Sequence, residues 1–168
     1  MTESMARLAG LPTVTAQSGR VFVARPEAAF VFLFRDDEKL LLLRQPGVDG
    51  WRPVGGALEA AETVQEAAMH ELREELGPLV RATLLGLAHA WTYRYDDDVQ
   101  SMTSMAWVAS YEGGDLLPGD DMSGSEWNWF APDEVADLLL SVPEGSSWLL
   151  QRARAAYRTF RGDPPAGP

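Results

Sequence analysis

Apolar residues along this chain come in short blocks separated by polar or glycine-bearing breaks, and the spacing within the blocks changes from one to the next. Ala28 to Phe34 is a continuous apolar and aromatic run, Leu40 to Leu43 is a second, and Asp36, Asp37 and Glu38 lie between them. Short, uninterrupted runs of this kind predict two buried strands joined by a turn. Pro46, Gly47 and Gly50 then predict a loop, Trp51 to Val54 a short extended segment, and Gly55 with Gly56 a lead into a helix. From Glu62 to Leu76 strong helix formers predominate, and Gly77 and Pro78 supply the stop. Ala82 to Tyr95 and Met102 to Tyr111 read as long strands around the acidic turn Asp96, Asp97, Asp98. Trp127 to Phe130 predicts a short strand, Pro132 to about Leu140 a helix with proline in its first turn, and Ser147 to Phe160 a final amphipathic helix. This order predicts an α/β (α+β) fold, a mixed β-sheet sandwiched between α-helices. Residues 1–19 show no clear period and read as a flexible arm, 20–161 as one domain, and 162–168 as a flexible tail.

Composition narrows the choices. A chain of 168 residues can bury one sizeable core. No apolar run is long enough to span a bilayer and the first residues lack a secretory pattern, so a soluble, cytoplasmic protein without a membrane partner is expected. The absence of cysteine excludes disulfides, thiolate metal sites and cysteine nucleophiles. A net charge of −11 without a basic patch argues against nucleic acid as a partner. The same charge would repel a small phosphorylated substrate unless bound cations reversed the field locally.

The helix points to where such cations would bind. At about 100° per residue, Val64, Ala68, Leu72 and Leu76 form one stripe that should face the core. Glu75 falls inside that stripe, Glu71 at its edge, and Glu74 roughly 60° further round. Three carboxylates so placed repel one another and lose hydration, so they need raised pKa values or cations. Oxygen ligands without sulfur or clustered histidine suit Mg²⁺ or Mn²⁺. Gly55 and Gly56 let the backbone approach closely enough to aim a carbonyl at the same ion. The bland alternative is a solvated acidic helix face.

The register of Gly56, five residues, Glu62, seven residues, then His70, Glu71, Leu72, Arg73, Glu74, Glu75, Leu76, Gly77 and Pro78 resembles the Nudix box. His70 stands where that family has arginine, and Pro78 where it has an aliphatic residue. A weaker resemblance extends over roughly Arg20 to Phe160. The resemblance implies a divalent-metal-dependent hydrolase of diphosphate linkages in nucleoside di- or triphosphates, dinucleoside polyphosphates, ADP-ribose or nucleotide sugars. It implies metal ligation by Glu71, Glu74, Glu75 and the carbonyl of Gly56 or Gly55, with Glu62 and His70 in supporting positions. The family arginine helps hold an acidic residue of the box, a task for which histidine has a shorter reach and fewer donors. For the general base, members differ: Glu71 or Glu74 within the box, or a loop residue, here Asp120, Asp121 or Glu126, with Glu126 preferred. Tyr95 stands where some dinucleoside-polyphosphate hydrolases of the family carry a tyrosine.

Other candidates carry plain structural alternatives. Arg44 and Arg52 flank the loop before the box and could meet substrate phosphates or simply be surface charges. Trp51, Trp91, Tyr93 and Tyr95 could stack a base or merely pack. His89 reads as a histidine bonded to its surroundings rather than a base. A non-catalytic nucleotide-binding or regulatory module is the competing functional reading. Oligomeric state, a homodimer included, stays open.

Overall fold

The computed structural model describes residues 11–119, 122–136, 138 and 147–162. Among them are strands β1 (Thr13–Thr15), β2 (Val21–Val23), β3 (Glu27–Phe34), β4 (Leu40–Arg44), β5 (Val54–Ala57), β6 (Arg81–Tyr93), β7 (Met102–Gly113) and β8 (Glu126–Phe130). The helices are α1 (Val64–Leu76), α2 (Pro132–Ala136) and α3 (Ser147–Arg161).

The segment expected to be a loose arm carries β1, which pairs with β2 just beyond it in a hairpin, with Thr13 opposite Val23 and all six strand residues exposed. Its strands are too short to show a hydrophobic period, which is why the pattern missed them. Residues 1–10 and 163–168 lie outside the described residues. The remaining strands form one mixed sheet in the order β6-β7-β3-β4-β8, with β5 also against β3. Among the described strands of this sheet only the β3–β7 pair is parallel. One flank of β3 is forked: Ala28 to Val31 pair with Ala57 to Val54, whereas Phe34 pairs with Leu40 of β4.

The apolar runs become central strands because both faces of the sheet are covered. Alternation sends Ala29, Val31 and Leu33 of β3 and Leu41 and Leu43 of β4 to one face, where Ala67, Ala68, Leu72 and Leu76 of α1 pack. Phe32, Phe34, Leu40 and Leu42 go to the other face, under Leu149, Ala153 and Tyr157 of α3. At Gly86 a Cβ would overlap the Phe160 ring, so the missing side chain lets α3 lie against β6.

Helix α1 starts at Val64 rather than Glu62, because Thr63 is its N-cap. Glu66 N–H donates to Thr63 Oγ1 at 3.3 Å, and Thr63 N–H donates to Glu66 Oε2 at 2.8 Å. This reciprocal pair is a capping box. At the other end Gly77, at φ 96°, donates to the Arg73 carbonyl at 2.9 Å. Leu117 N–H reaches the Leu76 carbonyl at 2.7 Å and Gly119 N–H the Glu74 carbonyl at 3.3 Å, so the loop after β7 satisfies the last turn. The helix expected from Pro132 is described only to Ala136, and Leu138 lies in a bend. Leu140 lies outside the described residues.

Helix α3 is fastened to the β3–β4 turn through Glu38, which accepts from Arg158 Nη2 at 2.6 Å, Arg158 Nε at 2.8 Å and Arg154 Nε at 3.2 Å. The Arg158 hydrogen bond above all, with Arg154 adding to it, holds the Glu38 carboxyl below its ordinary value of 4.5. A folded-state pKa below the unfolded one means stabilisation that is present above 4.5 and lost as pH falls through the folded value. Glu38→Gln should therefore cost about 1 kcal/mol at pH 7, a fall in Tm of about 2–4 °C. Thermal melts at pH 7 and pH 3 check this: the gap from the parent should narrow in acid, and an equal gap at both would remove the charge from the account.

Candidate active site

Glu75 lies in the apolar stripe of α1 and is only 6% exposed. A carboxylate there needs a counter-charge, and Arg52 provides it. Its Nη2 pairs with Glu75 Oε1, its Nη1 donates to Oε2 at 3.2 Å, and Gly55 N–H donates to Oε2 at 3.0 Å. Nη1 also reaches the carbonyls of Pro53 and Gly55, at 3.1 and 3.2 Å. The guanidinium is thus engaged within the protein. The sequence left Arg52 open between substrate phosphate and a surface charge; the structure places it on a box glutamate. The available signal was His70, since a box without its arginine leaves a buried glutamate that must find a cation elsewhere.

Glu71, one turn earlier, is half-buried and has no hydrogen-bond donor among the described residues. Burial, then the negative charges of Glu75 and Glu74, push its carboxyl up from 4.5 to about 7. Facing it is Gly56 on β5, where a Cβ would overlap the Glu71 carboxylate. The glycine therefore does more than ease a turn: it leaves room beside a carboxylate that no hydrogen bond from a described residue holds. Glu74 is on the exposed side of the helix, so the three glutamates grade from buried to exposed rather than crowding one face.

His70 Nδ1 lies 2.9 Å from Glu62 Oε1, and its Nε2 is 4.0 Å from Glu74. The Glu62 hydrogen bond raises the histidine pKa. Glu59, Glu62 and His70 offer potential ligand atoms all within 4.8 Å of one another. The Glu62 carboxylate also accepts from Glu59 N–H at 3.1 Å, which braces the loop entering the helix.

The structure does not bring Glu126 to this group. Glu126 opens β8 opposite Arg44 and is bound by it, Arg44 Nη2 to Glu126 Oε2, at 2.5 Å. The Arg44 guanidinium lies over the Trp51 ring, whose neighbour is Phe130 on the α3 face. Alternation thus puts Arg44 and Glu126 on the face of the sheet away from α1, and each occupies the other's charge. Both remain partly exposed, at 43% and 62% for the side chains. Asp120 and Asp121 lie outside the described residues. Tyr95 is 63% exposed and lines, with Gly56, a cleft on the sheet. His89 stacks on Trp91 and meets the Trp148 ring edge-on at 4.9 Å, within an aromatic cluster.

A half-buried carboxylate free of hydrogen bonds beside a side-chain-free backbone, with two more carboxylates on the next turn, is a donor set for a hard divalent cation. Glu71, Glu74 and one lone pair of Glu75 Oε1 are free to serve it, since a carboxylate offers about four acceptor positions. No helix among the described residues is long and apolar enough to cross a membrane.

Comparison with known proteins agrees with this geometry. A family model described as NUDIX domain matches residues 24–151. The chain is 26% identical over 126 residues to the NAD-capped RNA hydrolase NudC of Chromobacterium violaceum, covering 74% of this chain and 45% of that protein. It is 29% identical over 106 residues to an ADP-ribose pyrophosphatase of Methanocaldococcus jannaschii, 61% of each chain. Among solved structures, a UDP-X diphosphatase superposes with a TM-score of 0.67 at 16% identity over 85% of this chain and 68% of that one, a likeness of fold. The chain spans less than half the length of the NudC relatives it matches. Since the matched span runs from the start of the central sheet into α3 and takes in every glutamate of the group, the chain belongs to the Nudix family.

Proposed function

We propose that the chain hydrolyses a diphosphate linkage in a nucleoside diphosphate derivative, using Mg²⁺ or Mn²⁺ held by Glu71, Glu74, Glu75 and the Gly56 carbonyl. The observation that carries this reading is Glu71: half-buried, pushed up to about 7, and facing a glycine where a side chain would block it. Relatives named as a hydrolase, a pyrophosphatase and a diphosphatase support the reaction class.

When bound, the ion supplies Lewis-acid chemistry, offsetting phosphate charge and polarising phosphorus. The chain's own residues do the rest. Arg52 and the Gly55 N–H fix Glu75 so that Oε1 keeps one direction open. Gly56 lets a phosphate come close to the carboxylates. Glu71 or Glu74 accepts a proton from the attacking water as its oxygen bonds to one phosphorus, and the bridging P–O bond breaks to release the other phosphate. Glu126 is left out, because Arg44 holds it on the other face. Nothing in the geometry favours the non-catalytic reading, because the brace expected from a box arginine is supplied by Arg52 and His70 together.

Phosphate release, with coupled phosphatase and pyrophosphatase controls, should be measured across nucleoside di- and triphosphates, ADP-ribose, nucleotide sugars and dinucleoside polyphosphates. Turnover should need Mg²⁺ or Mn²⁺ and stop in EDTA. Glu71→Gln should lower kcat/KM by about 100-fold or more, the effect of losing several kcal/mol of transition-state stabilisation. Undiminished turnover in that variant, with an unchanged circular dichroism spectrum, would sink the assignment.

Without metal, in EDTA, Glu71 also bears on stability. An acid whose folded pKa is raised from 4.5 to about 7 destabilises the fold increasingly between those values, and by a constant amount above them. Glu71→Gln should therefore melt above the parent at pH 8, and the advantage should vanish below about pH 4.5. A variant that melts lower at pH 8 would mean that Glu71 is compensated after all.

A further inference from the structure

The β1–β2 hairpin contributes no residue to either core cluster, and Val14, Val21, Phe22 and Val23 are between 36% and 61% exposed. A two-stranded hairpin is marginal by itself in water, and apolar side chains gathered on an exposed surface mark a contact to be made. Alternation gives the hairpin two faces. Phe22 lies opposite Val14, and the Arg20 guanidinium stands over the Phe22 ring at 5.0 Å, so these three share one face. Arg20 is at the tip, beside the turn closed by a 2.9 Å hydrogen bond from Gly19 N–H to the Ala16 carbonyl.

The foot of the hairpin stands beside the turn between β6 and β7. Leu11, Pro12, Ala24 and Pro26 share a cleft of about 330 Å³ with Asp98 and the residues that follow it. In that turn Asp96 Oδ1 accepts from the N–H groups of Asp98 and Val99, at 2.9 and 2.6 Å, and Asp97 is paired with Arg94. The exposed Asp98 carboxylate has no partner among the described residues, and Arg20 meets no carboxylate among them. The stretch from Leu11 to Pro26 carries Arg20 and Arg25 and no acidic residue, so the whole of the net −11 resides elsewhere. Two copies of so acidic a chain repel one another over most of their surfaces, and the hairpin is where they can approach.

We propose that the hairpin is the contact of a two-fold homodimer. The Val14–Phe22 face of one copy lies antiparallel on the same face of the other, so that each Arg20 reaches the other copy's Asp98. A two-fold contact needs a self-complementary patch, in which residue i meets j and j meets i. An apolar centre with a cation at the tip and a free carboxylate at the foot meets that requirement when the second copy is turned end for end. An acidic partner of another kind would satisfy Arg20 and be repelled by Asp98, so the charges select a second copy. Apolar burial supplies the affinity, while exposed ion pairs add little to it and fix the orientation. No residue of the glutamate group takes part, so the dimer stands apart from the hydrolase reading.

Sedimentation equilibrium of the full chain over about 1–100 μM should show a reversible monomer–dimer equilibrium. Phe22→Ser should raise its Kd about tenfold or more, since each dimer loses two buried rings. Arg20→Glu and Asp98→Arg should each do the same, because either creates two like-charge contacts per dimer. Mixed together, those two variants should form a heterodimer, in which both contacts again join opposite charges. The double variant R20E/D98R should return to the self-association of the parent. Such recovery rules out misfolding as the cause of the losses in the single variants. A chain that stays monomeric throughout the range, or a dimer that neither Phe22→Ser nor Arg20→Glu weakens, would overturn the interface. If neither the mixture nor the double variant associates more tightly than the single variants, the pairing of Arg20 with Asp98 is overturned.

Discussion

A carboxylate on the buried stripe of a helix must be neutralised, and in this chain Arg52 does so for Glu75. Breaking such a pair by removing one partner costs on the order of 3–5 kcal/mol, although replacing both with well-packed apolar groups can be neutral. Stability alone therefore does not explain the pair. Its consequence is positional. Arg52 also binds the Pro53 and Gly55 carbonyls, so the guanidinium ties the approach to β5 against α1. That contact sets Gly56 against Glu71 and leaves the second carboxylate facing backbone instead of a cation.

The bracing of the box is thus divided. A single arginine at position 70 could serve several carboxylates through its five donors, whereas histidine offers two ring nitrogens. Here His70 turns to Glu62 at the entry of the helix, and the core glutamate is held from outside the box. The division separates a solvent-side contact made by a histidine from a buried one made by an arginine. A departure from the family pattern that suggests weakness in the linear sequence is compensated by a residue preceding the box.

Much of the fold was legible because it depends on local pattern. The runs from Ala28 and Leu40 are apolar on both faces, which only a covered central strand requires, and Gly77 with Pro78 closed the helix correctly. The glutamate group was legible for the same reason: Glu75 sits at helical spacing among Ala68, Leu72 and Leu76, so burial followed from angle alone. Pairings between segments were not legible. Arg44 and Glu126 looked like separate candidates for phosphate and proton; only the β4–β8 register reveals that they neutralise each other. Glu126 was preferred for its place just before a strand, and strand parity puts it on the face away from α1. The β1–β2 hairpin escaped because three-residue strands have no period to read.

The fork in β3 gives the glutamate group its place against the sheet. Were β4 paired along the whole of β3, the stretch from Ala28 to Val31 would be covered by large apolar side chains. Instead that stretch carries β5, whose Gly55 and Gly56 contribute backbone and almost no bulk. A strand with glycines at its middle can be approached closely, here by the Glu71 carboxylate of α1, and Gly56 also borders an open cleft. The requirement for two consecutive glycines has a further cause at Gly55, which sits at φ 151° and where a Cβ would overlap the Ala29 carbonyl. The first glycine lets β5 close on β3, and the second leaves room for Glu71 beside it.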